Sequence, residues 1–343
     1  MTIAEKQLRK NENRLIYIFL FMYLMTMAAK TIFAAEIEEI VRVFGTDRTQ
    51  TSLANLYYYV FYALMQVILV FFIDKINIKI YLGITITLSA LVTISIGVVG
   101  AIGSNIIFLF VTFTLNGFLH AGLFGCSIKS FNRYLSKEYF YKGVKLISGV
   151  TIFANIISYG LSSLFVALKR WELPFIIIGS FLAFSSLFFV FSVGKIAKNI
   201  EKFRLEEEEE QHLEHHEYEK IDLGKSTKKT LIVLLCIIML ATLLGNSIHY
   251  GLNTWFTSLL KQEYGFPTEY GILLTLGISL ILSCVTIFGV GFCSKRKNIY
   301  LFSMLGFAVS IIFAVALAFL YKAGIIWAIF LSMVLLNEKE HHT

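Results

Sequence analysis

Long apolar stretches alternate with short polar segments along most of the chain. Stretches of about 18 or more residues recur, and an α-helix of that length crosses a hydrocarbon core about 30 Å thick. The pattern therefore predicts ten membrane-spanning helices, six before a long polar segment and four after it, the last one short. The predicted spans are 15–38, 53–73, 80–100, 105–128, 146–168, 174–193, 229–258, 269–291, 300–320 and 324–337.

Composition supports an all-α polytopic membrane protein. The chain is 57% hydrophobic and 15% charged, with a mean hydropathy of +0.73, far from the composition of a soluble domain. The first apolar stretch is too long for a signal-peptide core and no small-residue cleavage pattern follows it, so we expect it to be retained as a span.

Basic residues concentrate in alternate connections between the predicted spans. Because cytoplasmic loops carry an excess of Lys and Arg, we expect a plasma-membrane protein with a cytoplasmic N-terminus. The net charge of +7 reflects this asymmetry and does not indicate nucleic-acid binding. The basic residues on the cytoplasmic side are Lys6, Arg9, Lys10, Arg14, Lys75, Lys79, Lys129, Arg133, Lys137, Lys142, Lys145, Lys295, Arg296 and Lys297; the other side holds Arg42, Arg48, Lys169, Arg170, Lys261 and Lys322.

One long polar segment, 194–228, separates two hydrophobic blocks, 1–193 and 229–343. Its run of five glutamates favours a solvated, partly helical linker. Its three histidines, at helical i, i+3 and i+4 spacing beside glutamates, make a metal site the alternative. The histidines are His212, His215 and His216. The four cysteines form no CxxC pair, so we expect free thiols. We predict no metal and no cofactor.

The two blocks show an internal repeat. The segment 72–79 after span two resembles 292–299 after span eight, with an offset of about 220 residues. This offset places Lys30 beside His249, and parallel six-span repeats are a known transporter architecture with the substrate site between the halves. The second block holds only four spans before Leu335–Thr343 turns polar, so we expect a truncated or frame-shifted second bundle.

The connection after span two carries a family resemblance. Its Asp74, Lys75 and Lys79 resemble the signature of the major facilitator superfamily, although Val70 stands where the signature has a glycine. The resemblance implies a two-bundle transporter, here six spans plus about four. It also implies that Asp74, Lys75 and Lys79 gate the cytoplasmic face.

Within that superfamily, three stretches resemble the organophosphate:phosphate antiporters. They are His249–Trp255, Gly117–Lys129, and the pair Tyr62 and Gln66. The resemblance implies a phosphate clamp made by one arginine from span one and one from span seven. Here those places hold Lys30, or its neighbour Ala29, and His249. Lys30 and His249 are a point charge and a titratable ring in place of bidentate forks. A carboxylate or a sugar derivative then becomes nearly as good a ligand as a phosphate.

Lys30 and His249 are ionisable groups within long apolar segments. Such groups cost about 2.5–3.5 kcal/mol at the bilayer centre, so they usually face a cavity. The alternative for Lys30 is snorkelling to the outer surface, and for the polar pairs it is hydrogen bonding between helices. The other candidate substrate-binding residues lie at i, i+3 or i, i+4 spacings in spans two, four, five and seven: Tyr62, Gln66, Asn116, His120, Asn155, Tyr159, Asn246, Tyr250 and Asn253.

These features predict a secondary active transporter of a small organic anion that works by alternating access. The partners would be the anionic substrate and the bilayer, and we expect a monomer. The alternatives are a proton-coupled carrier of a neutral sugar or drug and a transporter-like sensor of sugar phosphates. An enzyme is disfavoured because the sequence shows no nucleophile–base pattern and no metal ligands clustered inside the membrane.

Overall fold

A computed structural model describes residues 3–103, 106–211, 256–262 and 265–293 of the 343 residues. Within these ranges the protein is helical and contains no strand. The chain divides into two compact units, residues 1–214 and 215–343. They are described separately below.

The first unit is a bundle built from eight helices. They are α1 (Ile3–Ala35), α2 (Ile37–Phe44), α3 (Arg48–Phe72), α4 (Ile78–Ile102), α5 (Ile106–His120), α6 (Leu123–Tyr134), α7 (Lys137–Ala167) and α8 (Leu173–Gln211). Six helical stretches of the described residues are long and apolar enough to cross a membrane, and each matches one of the first six predicted spans. The fourth stretch, Ile106–Tyr134, combines α5 and α6 around a break at Ala121 and Gly122.

The connections place short polar residues and glycine where helices begin and end. Asp47 precedes α3 and its carboxylate accepts a hydrogen bond from the Thr49 backbone N–H at 2.9 Å. Asn77 caps α4 in the same way, accepting from the Lys79 N–H at 3.1 Å. Gly103 ends α4 with φ of 68°, a left-handed conformation that glycine adopts without steric penalty. These caps fix where the connections of the bundle turn.

The core forms around α1, which packs against α7 and α8, while α4 packs against α8 and α5, and α3 against α5. Aromatic rings fill the centre in edge-to-face and stacked pairs. The Phe19 ring lies 5.4 Å from Phe131 and 5.2 Å from Phe189, centroid to centroid. Phe33 stacks on Phe113 at 3.8 Å. Helix α1 is therefore held in place from several sides.

Close backbone approach joins α4 to α8. A Cβ atom on Gly97 would lie 2.6 Å from Ile176 Cγ1 and 2.8 Å from the Glu172 carbonyl oxygen. Small residues allow membrane helices to pack at such short distances.

Helix α3 presents a wide apolar surface outside the bundle. Its exposed side chains include Leu56, Leu64, Val67, Val70 and Phe71. Continuous apolar exposure of this kind suits hydrocarbon and not water. It agrees with α3 being a membrane span.

The second unit is described over two stretches. Residues 256–262 are helical, and α9 (Thr268–Cys293) matches predicted span eight. Thr257 and Thr275 share a hydrogen bond of 3.0 Å between their hydroxyls. Spans nine and ten and most of span seven lie outside the described residues.

The predicted linker is described only at its start, where α8 continues without a break from span six to Gln211. His212, His215 and His216 lie outside the described residues. The boundaries 1–193, 194–228 and 229–343 stay predictions. Of the four cysteines, Cys126 is described as a buried free thiol.

Candidate functional site

Lys30 lies toward the C-terminal end of α1 and is half-buried. Its ammonium nitrogen lies 5.0 Å from the centroid of the Tyr59 ring and 5.6 Å from that of Tyr62. Both tyrosines belong to α3 and stand three residues apart, so they share one helix face. Distances below about 6 Å over an aromatic face are those of cation–π contacts. The lysine ammonium group therefore lies against this face of α3.

Two further predicted residues extend this arrangement on α3 and α7. Gln66 follows Tyr62 by one helical turn and is exposed. Asn155 of α7 is half-buried, with its Oδ1 3.5 Å from the Thr31 hydroxyl, the residue next to Lys30. Tyr159 is buried one turn further along α7. Helix α7 is joined to α1 here, since the Ser158 hydroxyl donates to the Ala28 carbonyl at 2.9 Å.

His120 belongs to a hydrogen-bond network that joins α3, α4 and α5. Its Nδ1 lies 2.7 Å from the Tyr58 hydroxyl, and its Nε2 lies 2.5 Å from the Ser89 hydroxyl. The side chain is only 1% exposed. Both ring nitrogens are therefore engaged by hydroxyl groups within the bundle.

Asn116 lies one turn before His120 on α5 and is fully buried. Its amide nitrogen donates to the Thr93 hydroxyl of α4 at 3.0 Å. Its Oδ1 is buried and has no hydrogen-bond partner among the residues that the structure describes. Asn116 and His120 both contact α4, and their assignment to the substrate site stays a prediction.

The sequence did not single out Tyr58, Tyr59, Ser89 or Thr93, which the structure places beside the predicted residues. The tyrosine run Tyr57–Tyr59 in an otherwise apolar span was the available signal for two of them. Nothing distinguishes Ser89 and Thr93 from other hydroxyl residues of α4 by spacing alone.

Four predicted residues come from span seven. Asn246, His249, Tyr250 and Asn253 lie outside the described residues, so their place in the site stays a prediction.

The predicted gate residues lie at the connection between α3 and α4. The Asp74 carboxylate is 2.8 Å from the Lys129 ammonium of α6, and Lys129 also donates to the Ile73 carbonyl at 2.5 Å. The Lys79 ammonium lies close to Gly194 of α8, where a Cβ atom would be 2.8 Å from it. Lys75 is exposed. The connection is thus tied to α6 and faces α8.

The arrangement is one basic group among aromatic rings inside a bundle of six spans, with an ion-paired connection after the second span. The family model described as Major Facilitator Superfamily matches residues 19–337. The chain belongs to the major facilitator superfamily. It is accordingly a multi-pass membrane protein and a secondary transporter, in a family whose members are generally not enzymes.

Solved structures of this superfamily share the fold. One is a bacterial homologue of the human lysosomal transporter Spinster in an inward-facing, occupied conformation, with a TM-score of 0.69 and 13% identity over 96% of this chain and 72% of that one. Another is a D-xylose–proton symporter, with a TM-score of 0.65 and 10% identity over 94% of this chain and 78% of the symporter. Among curated protein sequences, none matches the chain. These likenesses support the fold and leave the substrate open.

The Asp74–Lys129 pair gives a prediction for this superfamily protein. The Asp74 side chain is 87% exposed, and exposed ion pairs contribute at most about 1 kcal/mol. We expect Lys129→Gln to change the free energy of unfolding by less than about 1 kcal/mol. If the pair holds a gate closed, initial uptake rates in proteoliposomes should change by at most about fivefold.

The exchanged pair Asp74→Lys with Lys129→Asp is the control. It should restore the wild-type uptake rate that Asp74→Lys or Lys129→Asp alone changes. Equal rates for the wild type, Asp74→Lys, Lys129→Asp and the exchanged pair would show that the pair does not gate transport.

Proposed function

We propose that the protein moves a small organic anion across the membrane by alternating access. The substrate class is a sugar phosphate, a glycerol phosphate or a carboxylate. Lys30 supplies the positive charge on the side of the first bundle, and Tyr59 and Tyr62 flank it. Orientation in the plasma membrane with a cytoplasmic N-terminus is part of the same proposal.

The main support for the proposal is that the six spans have a single formally charged residue in their apolar interiors. Within their apolar interiors the sequence contains one residue of the Asp, Glu, Lys and Arg classes, and it is Lys30. A fixed positive charge where the dielectric constant is low attracts anions more strongly than it would in water. The interiors counted are residues 15–35, 53–72, 80–102, 106–128, 146–167 and 173–194.

The chemistry of Lys30 bears on the kind of anion. An ammonium group donates from a compact point charge, whereas an arginine fork matches phosphate or carboxylate oxygens in pairs. A lysine therefore favours anions without demanding bidentate geometry. The sequence repeat pairs Lys30 with His249 of span seven, and His249 would supply the second positive group of the clamp.

A neutral sugar is the second candidate substrate. The fold neighbour that moves D-xylose with protons raises it, and the rings of Tyr59 and Tyr62 beside an exposed Gln66 suit a sugar face. The two candidate substrates can be distinguished by competition: a neutral analogue should compete at a sugar site but not at an anion site.

Competition in proteoliposomes tests the proposal. Purified protein would be reconstituted and entrance counterflow measured with labelled glycerol-3-phosphate, hexose phosphate and a dicarboxylate, each against an excess of the unphosphorylated or neutral analogue. We expect counterflow of an anion that the neutral analogue does not inhibit. Counterflow of a neutral sugar alone would overturn the anion assignment, and binding without counterflow would favour a sensor.

A further inference from the structure

Four buried carboxyl groups, here called the carboxylate cluster, lie at the junction of α1 and α2, within α2 and just before α8: Glu36, Glu38, Glu39 and Glu172. Three of them form ion pairs with arginine. Glu38 pairs with Arg48 at 2.7 Å, Glu39 with Arg42 at 2.6 Å, and Glu172 with Arg170 at 2.6 Å.

Glu36 differs from the other three. It lies between α1 and α2 and is 0% exposed. The Ser162 hydroxyl of α7 donates to its Oε1. Its Oε2 is buried and has no hydrogen-bond partner among the described residues. One oxygen of this carboxyl group is therefore bonded to α7, and the other is enclosed without a bond.

The charges around the cluster leave an imbalance of one. Residues 36–48 and 169–172 contain five acidic residues and four basic ones. A buried ionised carboxylate with an unbonded oxygen is costly, and such groups take up a proton instead. One added positive charge would neutralise the cluster.

We propose that Glu36 is a proton-binding site, with the proton held on Oε2, and that it controls the packing of α1 against α7. The proton comes from the aqueous phase and returns to it, so no other bond is made or broken. When Glu36 loses the proton, the cost of keeping its charge buried exceeds the gain from the Ser162 hydrogen bond, and this end of α1 loosens from α7. The site lies on the α7 side of α1 and does not involve Lys30 or the substrate.

Burial and the neighbouring negative charges favour the protonated form of Glu36. Glu36 follows the first span, which ends at Ala35. Burial raises the pKa of its carboxyl group well above the ordinary value, and the negative charges of Glu39 and Glu172 raise it further, while the Ser162 hydrogen bond lowers it. The pKa is thus higher in the packed state than in a solvated one. The proton's contribution to stability is complete at low pH and is lost as the pH rises through the raised pKa.

A proton fits the geometry better than a metal ion. Hard cations such as Ca²⁺ and Mg²⁺ take six or more oxygen ligands. Among the described residues, no group of three or more His, Cys, Asp or Glu side chains could hold a metal ion. The carboxylates nearest Glu36 are already paired with arginine, whereas a proton needs only the lone pair on Oε2.

Infrared spectroscopy of the purified full chain in lipid nanodiscs tests the proposal directly. The wild type should show the carbonyl stretch of one protonated carboxyl group near neutral pH and lose it as the pH is raised. Glu36→Gln, which has the shape of the protonated acid, should lack this band. Glu39→Gln is the matched control, because it removes a carboxylate that is already ionised and should leave the band in place.

Trp171 gives a second readout of local packing. Its ring is buried and lies 6.3 Å from that of Phe44 in α2. In a Trp255→Phe, Trp327→Phe background, its fluorescence should change with pH in the wild type and not in Glu36→Gln. Between the ordinary pKa of the loosened state and the raised pKa of the packed state, the ratio of packed to loosened protein should fall about tenfold per pH unit, and above the raised pKa it should level off.

Three outcomes would overturn the inference. One is a wild-type spectrum without a titrating protonated carboxyl band. Another is a band that persists unchanged in Glu36→Gln. The third is suppression of the pH response by sodium ions alone, which would assign the position to a metal cation. None of these measurements uses a transport substrate, so their failure is separate from failure of the anion proposal.

Discussion

Replacing Lys30 by glutamine should weaken binding of the transported anion by roughly 10- to 100-fold. A hydrogen bond to a charged group contributes about 1.5–3 kcal/mol, and each 1.4 kcal/mol is a tenfold change in affinity. Glutamine is one bond shorter and keeps a hydrogen-bond donor, but it removes the only Asp, Glu, Lys or Arg charge in the counted interiors of the six spans. The measurement is the substrate concentration that half-saturates counterflow in proteoliposomes.

Two variants separate the charge of Lys30 from other effects. Lys30→Arg should keep most of the affinity, because it preserves the charge. Lys145→Gln removes a positive charge from an exposed position of α7 and should leave the affinity unchanged. Unaltered affinity in Lys30→Gln would place the anion site elsewhere. Equal losses of affinity in Lys30→Gln and Lys145→Gln would show that the overall positive charge of the protein, and not Lys30 itself, causes the effect.

Hydropathy predicted the spans of the first unit well, but not where their helices end. The first span was expected over 15–38, whereas α1 runs from Ile3 to Ala35 and α2 begins at Ile37. The apolar content of a window does not register polar residues that continue a helix into water, as residues 3–14 do. It also does not register the ion pairs of this connection, where Glu39 pairs with Arg42 inside α2 and Glu38 pairs with Arg48 at the start of α3.

The fourth and sixth spans show the same limit. The helix predicted over 105–128 is broken at Ala121 and Gly122, because two small residues do not interrupt an apolar window. Span six was predicted to end at 193, but α8 continues to Gln211 through lysines and glutamates that favour helix. Hydropathy locates the membrane, while capping and helix propensity locate the ends.

The candidate site was predictable in part. Lys30 is detectable because a lone charge in an apolar segment is rare, and the structure places it beside Tyr62, another predicted residue. Helical spacing also identified Asn116 and His120 as one face of α5. Spacing shows which residues share a helix face but not which helix packs against that face. The structure shows that it is α4, whose Thr93 and Ser89 bond to Asn116 and His120. Only the packing of helices distant in sequence could reveal those two partners.

Lys30 lies in α1 and Glu36 just after its C-terminal end, six residues apart and with different surroundings. Lys30 lies along α3, whereas Glu36 is bonded to Ser162 of α7. A helix with a positive group toward one neighbour, followed at its C-terminal end by a titratable acid bonded to another, can respond to an anion and to protons separately. The two proposals are therefore testable independently.

Replacing Gly117 by alanine should destabilise the bundle by about 1–3 kcal/mol or more, the range for overpacked cores. A Cβ atom at this position would lie 2.2 Å from the Tyr58 carbonyl oxygen and 2.9 Å from its carbonyl carbon. These are backbone atoms in the middle of α3, so they can move only if the helix moves. Thermal unfolding in detergent, followed by tryptophan fluorescence, would show the loss as a lower midpoint temperature.

The displacement should also reach the site. Tyr58 holds His120 through its hydroxyl, and the next residue, Tyr59, contacts Lys30. Gly149→Ala in α7 is the matched control, because a Cβ atom there meets nothing within 4 Å and alanine is the better helix former by about 1 kcal/mol. It should leave stability unchanged or raised. If Gly117→Ala behaved like Gly149→Ala, the close contact between α3 and α5 would be wrong, and with it the placement of Tyr59 beside Lys30.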